Sequence, residues 1–211
     1  MTLARAREIV TLAVRSGCYD KSALADLIED LGVDDDTTLR ALAKRLSDAK
    51  RTAEAGWKAL TPNDRITRAF AELRRKGIVA FENPGYNAPS TIDDAWAEVL
   101  DEATNFDEPP RGAVFYCGAD LPAAVAGKGL ALTLDALEEV AVDRGTTIRR
   151  RDGAPLDELA REICDTLARH DVAASWTGER IAIAPFRWQR RAFTKGPKPA
   201  KLRSRSRTRN R

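Results

Sequence analysis

The chain reads as an α+β protein, with a helical N-terminal section followed by a small, mostly antiparallel sheet packed with helices. Three observations carry this. Residues 1–60 repeat apolar side chains at spacings of three and four. Short apolar runs of strand length first appear near residue 78. From there strands and helices mix without a regular βαβ alternation, an order that favours α+β over a doubly wound sheet.

The first helix carries Leu3, Ala6, Val10 and Ala13 on one face and stops at Gly17. Asp20 or Ser22 caps the second, whose face is Leu24, Leu27, Ile28 and Leu31, with Gly32 at its end. Asp34, Asp35 and Asp36 open the third, where negative charge suits the helix dipole. Its stripe runs Leu39, Leu42, Leu46, Ala49, Ala53 and on to Trp57. Thr61-Pro62-Asn63-Asp64 is a helix start with a threonine cap, proline at the first helical position and an acid placed to close a capping box. Ile66, Phe70 and Leu73 form its inner face, and Gly77 stops it after Arg74, Arg75 and Lys76.

Residues 78–81 then read as a buried strand, and Asn83-Pro84-Gly85 as a turn. Ser90 or Thr91 caps a helix with Trp96, Val99, Leu100 and Ala103 on one face. Residues 113–116 and 130–134 read as further strands, with a small alanine-rich helix at 122–126 between them. Residues 138–144 fit helix and strand equally, and residues 149–153 read as a polar turn. Pro155 opens a helix with Leu156, Leu159, Ile163 and Leu167 inward. Residues 172–176 and 181–184, joined at Thr177-Gly178, form a closing hairpin. The organisation is therefore a helical section at 1–60, an α+β domain at 61–194 and a basic tail at 195–211.

The bulk numbers narrow the function. No stretch approaches a membrane span, and Arg5, Arg7 and Glu8 break any apolar leader, so the expectation is a cytoplasmic protein with no membrane partner. Cys18, Cys117 and Cys164 are odd in number and far apart, and His170 is the one histidine; this predicts no disulfide framework and no metal site. His170 is expected as a solvated residue at a helix C-terminus. Gly127-Lys128-Gly129 reads as a tight turn before a strand, since it lacks the serine or threonine of a phosphate loop. No motif implies a cofactor.

Charge is split along the chain. The tail carries Lys195, Lys198, Lys201, Arg203, Arg205, Arg207, Arg209 and Arg211 and no acid. Removing these eight from 35 cations leaves 27 Lys and Arg against 32 Asp and Glu, so residues 1–194 carry a net −5. A segment of arginine alternating with serine and threonine builds no core and is expected to be disordered. It suits the phosphate backbone of a nucleic acid or another polyanion. Arg187, Trp188, Arg190 and Arg191 just upstream are expected to extend that surface, with Trp188 either stacking on a base or packing in the core.

Several short matches between residues 16 and 193 carry a resemblance. They are Ser16-Gly17-Cys18-Tyr19-Asp20; Trp57 with Thr61, Asp64 and Arg65; Gly77-Ile78-Val79-Ala80; Val114-Phe115-Tyr116 with Asp120; and Trp188 with Arg190-Arg191. The pattern is similar to an uncharacterised family of bacterial domains of unknown function. The resemblance supports the fold and implies no activity. Relatives of that kind carry a cysteine pair after the first strand, and a histidine and a Gln-Asp pair after the second; here residues 81–90 hold no cysteine, Cys117 stands at the histidine position and Ala119 precedes Asp120.

Three readings of function remain. The first is a non-catalytic binding or regulatory module whose tail contacts nucleic acid or another polyanion. The second is an enzyme with a carboxylate and arginine pocket near Asp64, Arg65 and Asp120. Asp120 is alternatively the cap of the helix at Pro122, and Asp64 the closing residue of a capping box. The third is a protein-interaction domain with an incidental tail. The scarcity of histidine, cysteine and glycine-rich constellations leans against the enzyme, and no catalytic residue is assigned.

Overall fold

The structure, a computed structural model, describes residues 1–83, 92–142 and 145–192. The turn at Pro84-Gly85, the caps at Ser90 and Thr91 and the basic tail lie outside the described residues.

Three helices come first. In α1 (Leu3–Ser16) the Thr2 hydroxyl accepts from the Arg5 amide, Ala6, Val10, Ala13 and Val14 are buried, and Gly17 ends the helix at φ 70°. That left-handed conformation suits glycine, and a side chain there would also strike the Arg190 carbonyl at 2.7 Å. Asp20 rather than Ser22 caps α2 (Lys21–Asp30), accepting from the Ala23 amide at 2.8 Å. Asp35 caps α3 (Asp36–Glu54). Ile28, Leu31, Leu39 and Ala43 close a core with Ala6, Val10 and Val14.

The expected α3 stripe holds through Leu46 and then fails, because Ala49 and Ala53 are exposed. Length explains this. At 1.5 Å per residue the 19 residues of α3 span about 28 Å, against about 21 Å for the 14 of α1. The last turns of α3 outrun their partner.

The remaining elements are α4 (Pro62–Arg75), β1 (Ile78–Glu82), α5 (Ile92–Ala103), β2 (Gly112–Tyr116), α6 (Leu121–Val125), β3 (Leu130–Val142), β4 (Gly145–Arg150), α7 (Asp157–Arg169), β5 (Ala174–Trp176) and β6 (Ile181–Ile183). The capping box of α4 is complete: the Thr61 hydroxyl accepts from the Asp64 amide, and the Asp64 carboxylate accepts from the Thr61 amide at 2.8 Å. β1 and β2 pair in parallel; β2–β3, β3–β4, β3–β6 and β5–β6 pair antiparallel. The sheet is thus mostly antiparallel and order β1-β2-β3-β6-β5, with β4 on β3.

Helices cover both faces of the parallel pair. Ile78, Ala80, Val114 and Tyr116 pack with Ile66, Phe70 and Leu73 of α4 and Ile163 and Leu167 of α7. Val79, Ala113 and Phe115 pack with Ala95, Trp96 and Val99 of α5, where Trp96 meets Phe115 edge-on at 4.8 Å. Of residues 138–144, which fitted helix and strand alike, 138–142 belong to β3 and pair with β4, and 143 and 144 lie outside the described residues. His170 is not simply solvated: its ring nitrogen lies 2.9 Å from Glu72, which Arg169 and Lys76 also hold. Those three partners hold the Glu72 carboxyl at about 2. Among the described residues no helix is long and apolar enough to cross a membrane.

Candidate functional site at the carboxyl ends of the parallel strands

The register of the parallel pair sets Glu82 opposite Tyr116, so both strands end together and the chain departs at Asn83 and Cys117 side by side. In open sheets with parallel strands this end is where ligands sit. Here it carries a concentration of partly or fully buried polar groups. The Tyr116 hydroxyl, at the end of a side chain 1% exposed, donates to the Glu82 carboxylate at 3.2 Å.

The cation that completes this group arrives from the far end of the chain. Residues 184–192 form an extended strap with no regular hydrogen-bond ladder of its own. Phe186 and Trp188 pack on the main core, Trp188 edge-on to Tyr116 at 6.1 Å, and the indole N–H donates to the Ser16 carbonyl at 2.9 Å. The Gln189 amide donates to Asn63 at 2.6 Å. Arg190 ion-pairs with Glu82 and donates to the Tyr116 hydroxyl at 3.1 Å. Arg191 donates to Asp64 at 2.5 Å and to the Lys58 carbonyl at 2.8 Å, and the Ala192 amide donates to Glu54. The strap thereby ties together the ends of α1 and α3, the start of α4 and both parallel strands.

Of the two roles open to Trp188, packing is the one it takes. One expectation is corrected: Arg187 is exposed, whereas Arg190 and Arg191 are paired with carboxylates of the fold and do not extend the basic surface. Their partners lie more than 100 positions away, which no local pattern reveals.

Beside Glu82 stands Asn83, 2% exposed and held at φ 54°, a conformation asparagine tolerates better than most residues. Its amide N–H donates to the Tyr116 carbonyl at 2.9 Å, while neither polar atom of its side chain meets hydrogen-bond geometry. It still lies close enough to favour the ionised Tyr19 phenol, whose pKa burial and Cys18 nevertheless raise. Lys50 approaches from α3 and donates to the Arg15 carbonyl at 2.9 Å, closing the C-terminus of α1. Burial lowers its pKa to about 8, with Arg190 adding to the fall and Glu54 and Cys18 opposing it.

Asp120 does not cap the helix at Pro122. It occupies the cap position, but its carboxylate turns back to accept the Cys117 amide at 3.0 Å and the Cys117 thiol at 3.5 Å. Arg180 then donates to it at 2.8 Å and to Thr133 at 3.0 Å. The Cys117 amide three residues back and the distant Arg180 together outcompete the adjacent helix amides. Burial raises the Cys117 thiol pKa, and the neighbouring Asp120 charge raises it further. A thiol so placed is kept protonated rather than activated.

The three residues read as a possible pocket each have a different partner: Asp64 has Arg191, Arg65 has Asp171, and Asp120 has Arg180. Burial opposes ionisation of Asp64, yet the Thr61 amide and hydroxyl and Arg191 together lower its pKa. Arg65 alone of the three lines a cleft of about 210 Å³, with Ile66, Asp171, Val172, Pro185 and Phe186. Among the described residues no three His, Cys, Asp or Glu side chains group to hold a metal. Sequence reasoning missed Glu82, Asn83, Tyr116, Lys50, Arg180 and Arg190. The usable signal was the pair of apolar runs that each stop on a polar residue, Ile78 to Asn83 and Ala113 to Tyr116.

Comparison with curated proteins and with solved structures returned no match. A family model matches residues 2–192, which takes in every described element and the strap, and the chain therefore belongs to the family described as Domain of unknown function (DUF6891).

Proposed function

We propose that the chain is a non-catalytic binding or regulatory module of the bacterial cytoplasm, and that its basic segment contacts nucleic acid or another polyanion. One observation carries this: the chain is fastened to the body up to Ala192, and eight cations without an acid follow from Lys195 onward. Arg190 and Arg191 of the strap are paired with Glu82 and Asp64, so most of the charge open to a polyanion lies after that anchor. Residues 1–194, at net −5, then serve as a body that holds the basic segment and presents its own surface to a protein partner.

The test compares the full chain with a version ending at Thr194, using unrelated DNA and RNA as single strands and duplexes. The full chain should bind all of them with little preference, since phosphate contacts from lysine and arginine carry no sequence information. Equal binding by the shortened protein would falsify this reading.

A second reading has its own observation. The buried side-chain amide of Asn83, whose polar atoms make no hydrogen bond of good geometry, stands beside Glu82, Tyr116 and Arg190 where sheets of this kind receive ligands. It favours a ligand or catalytic site at the strand ends in place of the grouping of Asp64, Arg65 and Asp120. Small-molecule thermal-shift screening on Asn83→Gly and parent protein tests it. A ligand that stabilises the parent alone supports the second reading, and equal responses set it aside.

A further inference from the structure

We infer that strand β4 is a self-pairing edge, along which two copies of this chain join their sheets in antiparallel register centred on Ile148. β4 pairs with β3 on one side, from Gly145 opposite Val142 to Arg150 opposite Leu137. No described element pairs with its other side. Five of its six residues are exposed, and Ile148 is half-buried.

The hydrogen-bond parity of the edge follows from one bond. The Arg151 amide donates to the Ala136 carbonyl, toward β3. In an antiparallel ladder a residue's N–H and C=O point the same way and alternate along the strand. The groups of Thr146, Ile148 and Arg150 therefore point away from β3. A twofold axis at Ile148 sets Ile148 opposite Ile148 and Thr146 opposite Arg150 twice over. All three are hydrogen-bonded pairs, giving about six backbone bonds.

Charge fits the same register. Natural edges are guarded by free charges, and like charges directly opposite oppose pairing. Here the arginines are drawn back onto β3: Arg149 to Glu138 at 2.8 Å and Arg150 to Asp135 at 2.6 Å, with Arg150 stacked over Trp96 at 4.6 Å. In the Ile148-centred register each arginine faces a threonine, Arg150 against Thr146 and Arg149 against Thr147, so no two cations meet. The strand contains no proline, and Thr146, Thr147 and Ile148 are β-branched, which suits an extended edge.

Two measurements on the full chain test this. Sedimentation velocity over a concentration series should show a monomer–dimer equilibrium that Thr146→Pro abolishes. That substitution removes an outward amide and leaves the β3 ladder intact, so the melting temperature should hold. The second measurement uses a Cys164→Ser background, since the other cysteines are buried. Ile148→Cys should form a disulfide-linked dimer under mild oxidation, because facing Cα atoms of a hydrogen-bonded pair lie about 5.5 Å apart. Thr147→Cys should not, because its copies lie about 8 Å apart on the diagonal. A monomer at every concentration would overturn the inference. So would crosslinking at position 147 without crosslinking at 148, or a dimer indifferent to Thr146→Pro.

Discussion

Replacing Arg190 with alanine should remove about 3 kcal/mol of folding stability. The Arg190 and Glu82 side chains are 17% and 13% exposed, so the pair is largely out of water. Breaking a buried pair on one side costs about 3–5 kcal/mol, because the remaining charge stays buried without its partner. Glu82 keeps the Tyr116 hydroxyl, and the residual exposure admits some water, which places the effect at the lower end. The double variant Glu82→Gln with Arg190→Met removes both charges together and leaves the Tyr116 hydroxyl an acceptor. It should return to within about 1.5 kcal/mol of the parent, since the attraction of such a pair roughly offsets its desolvation. Urea unfolding followed by tryptophan fluorescence gives the midpoints, compared at unchanged slope. A loss below about 0.5 kcal/mol for Arg190→Ala would mean the strap does not lock the strand ends. A double variant less stable than the single would refute the argument from stranded charge.

Three further outcomes are expected. Thr61→Ala should cost about 1 kcal/mol by opening the capping box of α4, and an unchanged denaturation midpoint would contradict that. Lys50 has a pKa of about 8 in the fold against an ordinary value of 10.5, so above pH 8 the unfolded chain holds a proton that the folded chain has released. Stability should then rise with pH between about 8 and 10.5, and Lys50→Met should remove that rise in melts recorded across the window. Gly129→Ala should destabilise by about 1–3 kcal/mol, because φ is +97° there and the added carbon would sit 2.5 Å from the Ile183 carbonyl; an unchanged melting temperature would count against the close approach of β3 to the end of β6.

What could be read from the sequence was local. Thr61, Pro62 and Asp64 act within one turn, and Gly17 ends a helix through its own backbone, so both were legible. The α3 stripe was legible only as far as α1 accompanies it; the exposure of Ala49 and Ala53 depends on the length of a different helix. Residues 138–142 gave no clear period because the β3–β4 arm extends past the helices, and neither of its faces there is deeply buried. Asp120 was misread because Arg180, 60 positions on, competes with the adjacent amides. The strap has no periodicity, and its arginines resemble a basic surface until Glu82 and Asp64 are seen beside them. The fold class follows from element order, which survives these errors. The candidate site does not, because it is assembled from α1, α3, β1, β2 and the strap.

The salt dependence of polyanion binding tests the central functional claim most directly. Eight cations follow the anchor at Ala192, and each neutralised phosphate releases condensed counterion. For duplex DNA a plot of log K against log salt should be linear with a slope approaching about −7 if all eight engage. Ending the chain at Thr194 should flatten that slope to near zero. A steep slope retained by the shortened protein would place the binding surface within the fold, and absence of binding by the full chain at low salt would contradict the account.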